Sequence, residues 1–115
     1  MSTDMLLFGA FALVTTISYF IFDQILKMEY LEFKSQWEID GKPHGFFWTP
    51  PDIEKRFGGV PKFKHTLAFW RCSFVWTFIT PEWIRKSSKA YKMLIILRII
   101  SLIGFIILIF FANSI

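Results

Sequence analysis

The sequence predicts an all-α membrane protein: a hairpin of two transmembrane helices, joined through a Pro/Gly-rich loop and an interfacial, aromatic-rich helix. Three observations carry this. Met5–Phe22 runs eighteen residues without a charge, and Met93–Ala112 runs twenty residues that are apolar except for Arg98, Ser101 and Gly104. As helices these measure about 27 and about 30 Å, the thickness of a bilayer's hydrocarbon core. The composition agrees, since 54% hydrophobic and 20% aromatic residues, with fifteen Phe and five Trp, exceed what a soluble surface tolerates. The third observation is where the cations lie. Of thirteen Lys and Arg, twelve fall between the two apolar segments and the other is Arg98.

Taken in order, Met1–Asp4 is a polar tip and Met5–Phe22 the first span. A cleaved signal peptide also begins with an apolar run, but it needs Lys or Arg ahead of that run and small residues behind it. Here Asp4 is the charge ahead, and Asp23, Gln24, Ile25 and Leu26 follow. Retention as a span is the expectation. Residues 23–92 then form the connecting region of a single unit, 1–115. Lys27, Arg85, Lys86, Lys89 and Lys92 lie near span ends, where cations collect on the cytoplasmic side. The connecting region is therefore expected in the cytoplasm or at its interface, and both termini on the other side.

Asp23–Glu38 mixes apolar residues with Lys27, Glu29, Glu32 and Lys34 and reads as a moderately amphipathic helix leaving the bilayer. Asp40–Lys64 holds Asp40-Gly41, Lys42-Pro43, Gly45, Pro50-Pro51, Gly58-Gly59 and Pro61, a density of breakers that means loop, with an extended kink expected at Pro50-Pro51. His65–Thr80 is apolar with a thin stripe of Thr66, Ser73, Thr77 and Thr80. It is short for a span and carries Arg71, while its Trp residues favour the headgroup level, so an interfacial helix is expected. Pro81 then starts the next helix, with Thr80 as N-cap and Glu82 in the first turn.

The chemistry-bearing residues form no recognisable constellation. His44 and His65 are twenty-one residues apart and Cys72 lies seven further on, a spacing that gives no zinc ligand set. A single cysteine excludes an internal disulfide framework. Gly58-Gly59 has no following Lys-Ser or Lys-Thr, so it is no phosphate loop. No catalytic group, metal or cofactor is assigned. The cations flank spans and interleave with aromatics, which suits anionic lipid, at about 1 kcal/mol per cation, and not nucleic acid. Lipid or partner contact is assigned to Phe46, Phe47, Trp48, Trp70, Arg71, Trp76, Arg85, Lys86, Lys89 and Lys92. Small residues Gly9, Ala12 and Thr16 on the first span are expected to face Ser101 and Gly104 on the second. Asp23 and Arg98, at the same end of the two spans, are expected to form an ion pair that sets the register.

A span, a loop with Asp40-Gly41…Gly45-Phe46-Phe47, and Glu82-Trp83-Ile84-Arg85-Lys86 leading into a final span is an order that resembles the universal stress protein B family. The likeness covers 40–47 and 82–110; 48–51 and 57–76 depart from it, being longer and more aromatic. The resemblance implies a bacterial inner membrane and a stress-related role, and brings no active site. By subtraction, the expected function is that of a non-enzymatic small membrane protein: an accessory or regulatory subunit of a larger membrane complex, or a membrane stress-tolerance factor. A homo-oligomer is compatible with this. The alternative is a membrane-bound lipid-interacting or lipid-modifying enzyme using His44, His65 and Arg71. The expected topology is checked with a periplasm-active phosphatase, which should be active when fused after Ile115 and silent when fused at Gly59; the opposite pattern would invert the hairpin.

Overall fold

Thirty residues of unbroken helix, α1 (Thr3–Glu32), carry the first apolar segment and continue well past it. The computed structural model describes residues 3–51, 53 and 61–114; the Gly58-Gly59 turn lies outside them. The further elements are α2 (Lys34–Ile39), α3 (Phe63–Phe78), α4 (Glu82–Lys86) and α5 (Ser88–Ser114). Both α1 and α5 are long and apolar enough to cross a membrane. At about 45 Å, α1 exceeds the hydrocarbon thickness, so Asp23–Glu32 is not a separate helix but its extension. That extension holds because its inward residues, Phe22, Asp23, Ile25, Leu26 and Glu29, recur at helical spacing and are all buried.

The chain bends at Phe33 (φ −133°, ψ 50°) and resumes as α2, which ends on a Schellman motif. The Gly41 N–H donates to the Glu38 carbonyl at 3.1 Å and the Lys42 N–H to the Trp37 carbonyl at 3.0 Å. Gly41 (φ +96°) supplies the left-handed residue this needs. At Pro50-Pro51 the backbone turns instead of extending: Ile53 N–H donates to the Pro50 carbonyl at 3.3 Å, which puts Pro51 second in the turn. Thr80 is not the next cap. Pro81 flanks α4 without a side-chain cap, its carbonyl accepting from Ile84 and Arg85. A second boundary follows at Ser87, whose Oγ accepts from the Ala90 N–H at 3.3 Å and caps α5.

α1 and α5 run antiparallel. Ser114 Oγ donates to Asp4 Oδ1 at 2.8 Å, and the Phe8 and Phe111 rings lie 6.1 Å apart. The facing surfaces differ from the small-residue expectation on the α1 side. Ala12 and Thr16 are exposed and Gly9 has open space around it. The phase of α1 is set by its buried extension: counting back from Phe22 in steps of four and three reaches Ser18, Thr15 and Phe11, and these turn inward. On α5, Gly104 does take the close approach, since a Cβ there would stand 3.2 Å from Val14 Cγ1. The core sits at the other end, where Phe22, Ile25, Leu26, Phe69, Trp76 and Trp83 pack with Ile84 and Leu94. Its rings meet edge-on or tilted, Phe22–Phe69 at 5.4 Å and Trp76–Trp83 at 5.7 Å, each such pair adding about 1 kcal/mol beyond burial. In a Cys72→Ser background, Val14→Cys/Gly104→Cys should oxidise to a disulfide faster than Ala12→Cys/Gly104→Cys; equal rates would contradict this packing.

Candidate functional site

Where α1 leaves the apolar segment, the loop 40–48 is threaded between α1, α2 and α3. A loop among helices must find partners for its backbone groups. Asp23 supplies two: its Oδ1 accepts from the Phe46 N–H and its Oδ2 from the Phe47 N–H, both at 2.6 Å. Charge-assisted bonds this short are the strong kind. Gly45 makes the approach possible, because a Cβ there would lie 2.7 Å from Asp23 Oδ1 and 2.9 Å from the Trp48 carbonyl oxygen. The same Gly45 N–H donates to that carbonyl at 2.7 Å, closing the turn.

The loop's carbonyls are held in turn. Arg71 donates to the Asp40 carbonyl, His65 Nδ1 lies 3.0 Å from the Lys42 carbonyl, and Trp37 Nε1 donates to Pro43 at 3.0 Å. His44 Nδ1 is 2.8 Å from the Gly45 carbonyl and its Nε2 2.9 Å from Thr66 Oγ1, while its ring stacks on Phe69 at 5.5 Å. The Gly45 carbonyl can only accept, so His44 donates from Nδ1, and the Thr66 hydroxyl pairs with the other ring nitrogen. The three residues of the enzyme reading are thus brought into one neighbourhood, and each is engaged with loop backbone.

The expected Asp23–Arg98 pair is replaced by two other contacts. Asp23 faces the loop, and Arg98 donates through Nε (3.3 Å) and Nη2 (2.9 Å) to the Trp76 carbonyl. Trp76 lies in the last turn of α3, where carbonyls lack helical partners and the helix dipole is negative. The other assigned residues divide. Phe46, Phe47, Trp70 and Arg71 are exposed, as are Arg85, Lys86, Lys89 and Lys92 along α4 and the start of α5. Trp48 is half-buried under Lys27, whose Nζ stands 5.7 Å from its ring. Trp76 is buried in the core and cannot serve as a lipid contact.

Sequence reasoning passed over Glu29. Its side chain is fully buried, and its carboxylate oxygens accept from no donor among the described residues; as a carboxylic acid it is placed to hydrogen-bond the Asp40 carboxylate. It lies seven residues beyond the apolar segment. Burial pushes its carboxyl up to about 10, with the Asp40 carboxylate nearby opposing a second negative charge. The same surroundings push the buried Cys72 thiol up to about 12, burial first and the Asp40 and Glu29 charges after it. That keeps Cys72 a thiol and unreactive. The signal for Glu29 was its place, three and seven residues after Leu26 and Phe22, in an otherwise apolar stripe. His65 Nε2 and Trp83 Nε1 are buried without partners among the described residues. Among the described residues no group of three His, Cys, Asp or Glu is placed to hold a metal ion.

No family model, curated protein or solved structure matches the chain.

Glu29 yields a pH prediction. Its folded value lies above the unfolded one, so its contribution is full below about pH 4.5 and is lost as pH rises toward about 10. In that window thermal stability in detergent should decline with pH, by at most about 1.4 kcal/mol per unit from this group. Glu29→Gln should flatten the decline and be the more stable form at pH 8. A wild-type-like pH profile in the variant would contradict the assignment.

Proposed function

We propose that the chain is a non-enzymatic integral membrane protein of a bacterial inner membrane, spanning with Met5–Phe22 and Met93–Ala112, and serving as an accessory or regulatory subunit of a larger membrane complex or in membrane stress tolerance. The connecting region lies on the cytoplasmic side and both termini on the periplasmic side, which is what the placement of the cations supports. One observation carries the non-enzymatic reading. Asp23, His44, His65 and Arg71, the polar side chains best suited to chemistry, hold loop backbone. What remains outward includes exposed aromatics, Phe46 and Phe47 among them, and the basic collar from Arg85 to Lys92. That combination suits contact with anionic lipid and with a neighbouring subunit.

A second reading has one observation in its favour. His65 Nε2 is buried without a partner among the described residues, and the buried Glu29 sits against the Asp40 carboxylate, arrangements that also mark sites of proton chemistry. In that reading the protein is a lipid-modifying enzyme. The two are separated by purification in mild detergent, with light scattering and mass spectrometry of the eluted species. The subunit reading expects other polypeptides in fixed proportion with the wild type, and their loss on Phe47→Ser with the variant still folded. A lone protein that turns over lipid, with turnover abolished by His65→Gln, would overturn it.

A further inference from the structure

The face of α3 turned away from the core carries an apolar stripe, bordered midway by exposed Arg71, whose guanidinium reaches back to the Asp40 carbonyl. Phe63, Leu67, Trp70, Phe74 and Phe78 recur at intervals of four, three, four and four, and all are about half exposed or more. Its inward face, His65, Ala68, Phe69, Cys72 and Trp76, packs on α1, with the Phe22 ring 5.4 Å from Phe69 and 5.3 Å from Trp76. The helix does not stay level with Phe22. Ser73 and Thr77 line a cavity of about 300 Å³ together with Thr15 and Ser18 of α1 and Ser101 of α5. Thr15 and Ser18 lie seven and four residues back from Phe22, about 11 and about 6 Å into the apolar segment by helical rise. The C-terminal end of α3 therefore lies alongside the candidate spans.

A helix ending in hydrocarbon leaves carbonyls that water cannot reach, and each needs a protein donor. Arg98, set inside the second apolar segment, gives the Trp76 carbonyl two N–H groups. Ile79 N–H takes the Val75 carbonyl at 2.8 Å. In water this arrangement would gain little. At membrane depth it is what lets a helix terminate. The other end of α3 carries the exposed, cationic Lys62 and Lys64, suited to a headgroup layer. At sixteen residues, about 24 Å, α3 is too short to cross a bilayer and long enough to descend obliquely into one leaflet.

We infer that α3 is a re-entrant helix, inserted C-terminus first into the leaflet on the side of the connecting region, with Phe63, Leu67, Trp70, Phe74 and Phe78 covered by phospholipid acyl chains. The occupant follows from continuity. The stripe extends the exposed apolar surface of α1 and α5, represented by Ile17 and Phe20 on one and Ile99 and Leu102 on the other. The inference rests on the membrane reading above and goes beyond an interfacial helix lying flat.

The test is nitroxide depth measurement on the full chain in phosphatidylethanolamine/phosphatidylglycerol vesicles. Single labels at Leu67→Cys, Phe74→Cys, Phe78→Cys and, as reference, Leu102→Cys are made in a Cys72→Ser background. Relaxation by oxygen, which favours hydrocarbon, is compared with relaxation by a water-soluble nickel chelate. The expected result is hydrocarbon-like behaviour at Phe78 and Phe74, with depth increasing from Leu67 to Phe78 by up to about 16 Å, the rise of eleven residues. Strong nickel relaxation at Phe78, with Leu102 still oxygen-accessible, overturns the inference and leaves the spans standing. Shielding of Phe78 from both reagents overturns it in favour of cover by a second copy or another protein. Nickel access at Leu102 itself removes the membrane reading and the inference together.

Discussion

The carboxylate of Asp23 is the contact on which the junction depends. It sits at the first position after eighteen uncharged residues and is 3% exposed, yet it is paired with backbone N–H groups and not with a cation. Removing it would leave the part-buried Phe46 and Phe47 N–H groups without their acceptor, each at a cost of at most about 1–3 kcal/mol, less where water replaces it. The effect would spread, because the loop it grips also seats His44 on Phe69 and Phe46 on Tyr19, the latter rings 4.5 Å apart. Gly45 belongs to the same unit, since any side chain there would displace the carboxylate. The Asp40-Gly41…Gly45-Phe46-Phe47 stretch thus acquires a mechanical sense: one glycine ends α2, the other admits Asp23, and the two Phe N–H groups are what Asp23 holds.

Much of the architecture was legible in the sequence because it is written in side-chain pattern. Two apolar stretches, a cluster of breakers and a Trp/Phe-rich helix are visible without coordinates. What escaped was written in backbone. Asp23 and Arg98 attract each other on paper, but the competitors were loop N–H groups and a helix-terminal carbonyl, and neither has a letter in the sequence. Helix phase escaped for a related reason. Small residues mark where backbones can approach, but the buried extension Phe22–Glu29 decided which side of α1 faces inward, and it turned Ala12 and Thr16 outward. Ser87 was passed over as a cap because the apolar pattern on either side of it reads as one helix.

Two charges in apolar surroundings show opposite solutions to burial. Arg98 finds its partner in a dipole, the carbonyl end of α3, where positive charge is favoured. Glu29 is held neutral, since burial disfavours its charge and Asp40 opposes its ionisation. The first binds two segments distant in sequence, Trp76 and Arg98. The second makes the packing of α1 against its neighbours depend on a proton.

The α1/α5 pair has one further property. The molecule measures 47 × 38 × 17 Å, a plate and not a cylinder, and α3 joins the pair at one end alone. With α3 inserted as inferred above, the body would displace the area of three helices in one half of the bilayer and of two in the other. Such a taper puts a flat sheet under uneven lateral pressure, relieved where the sheet bends away from the crowded side. The shape of the surrounding membrane, as much as any protein neighbour, would then govern where these molecules gather.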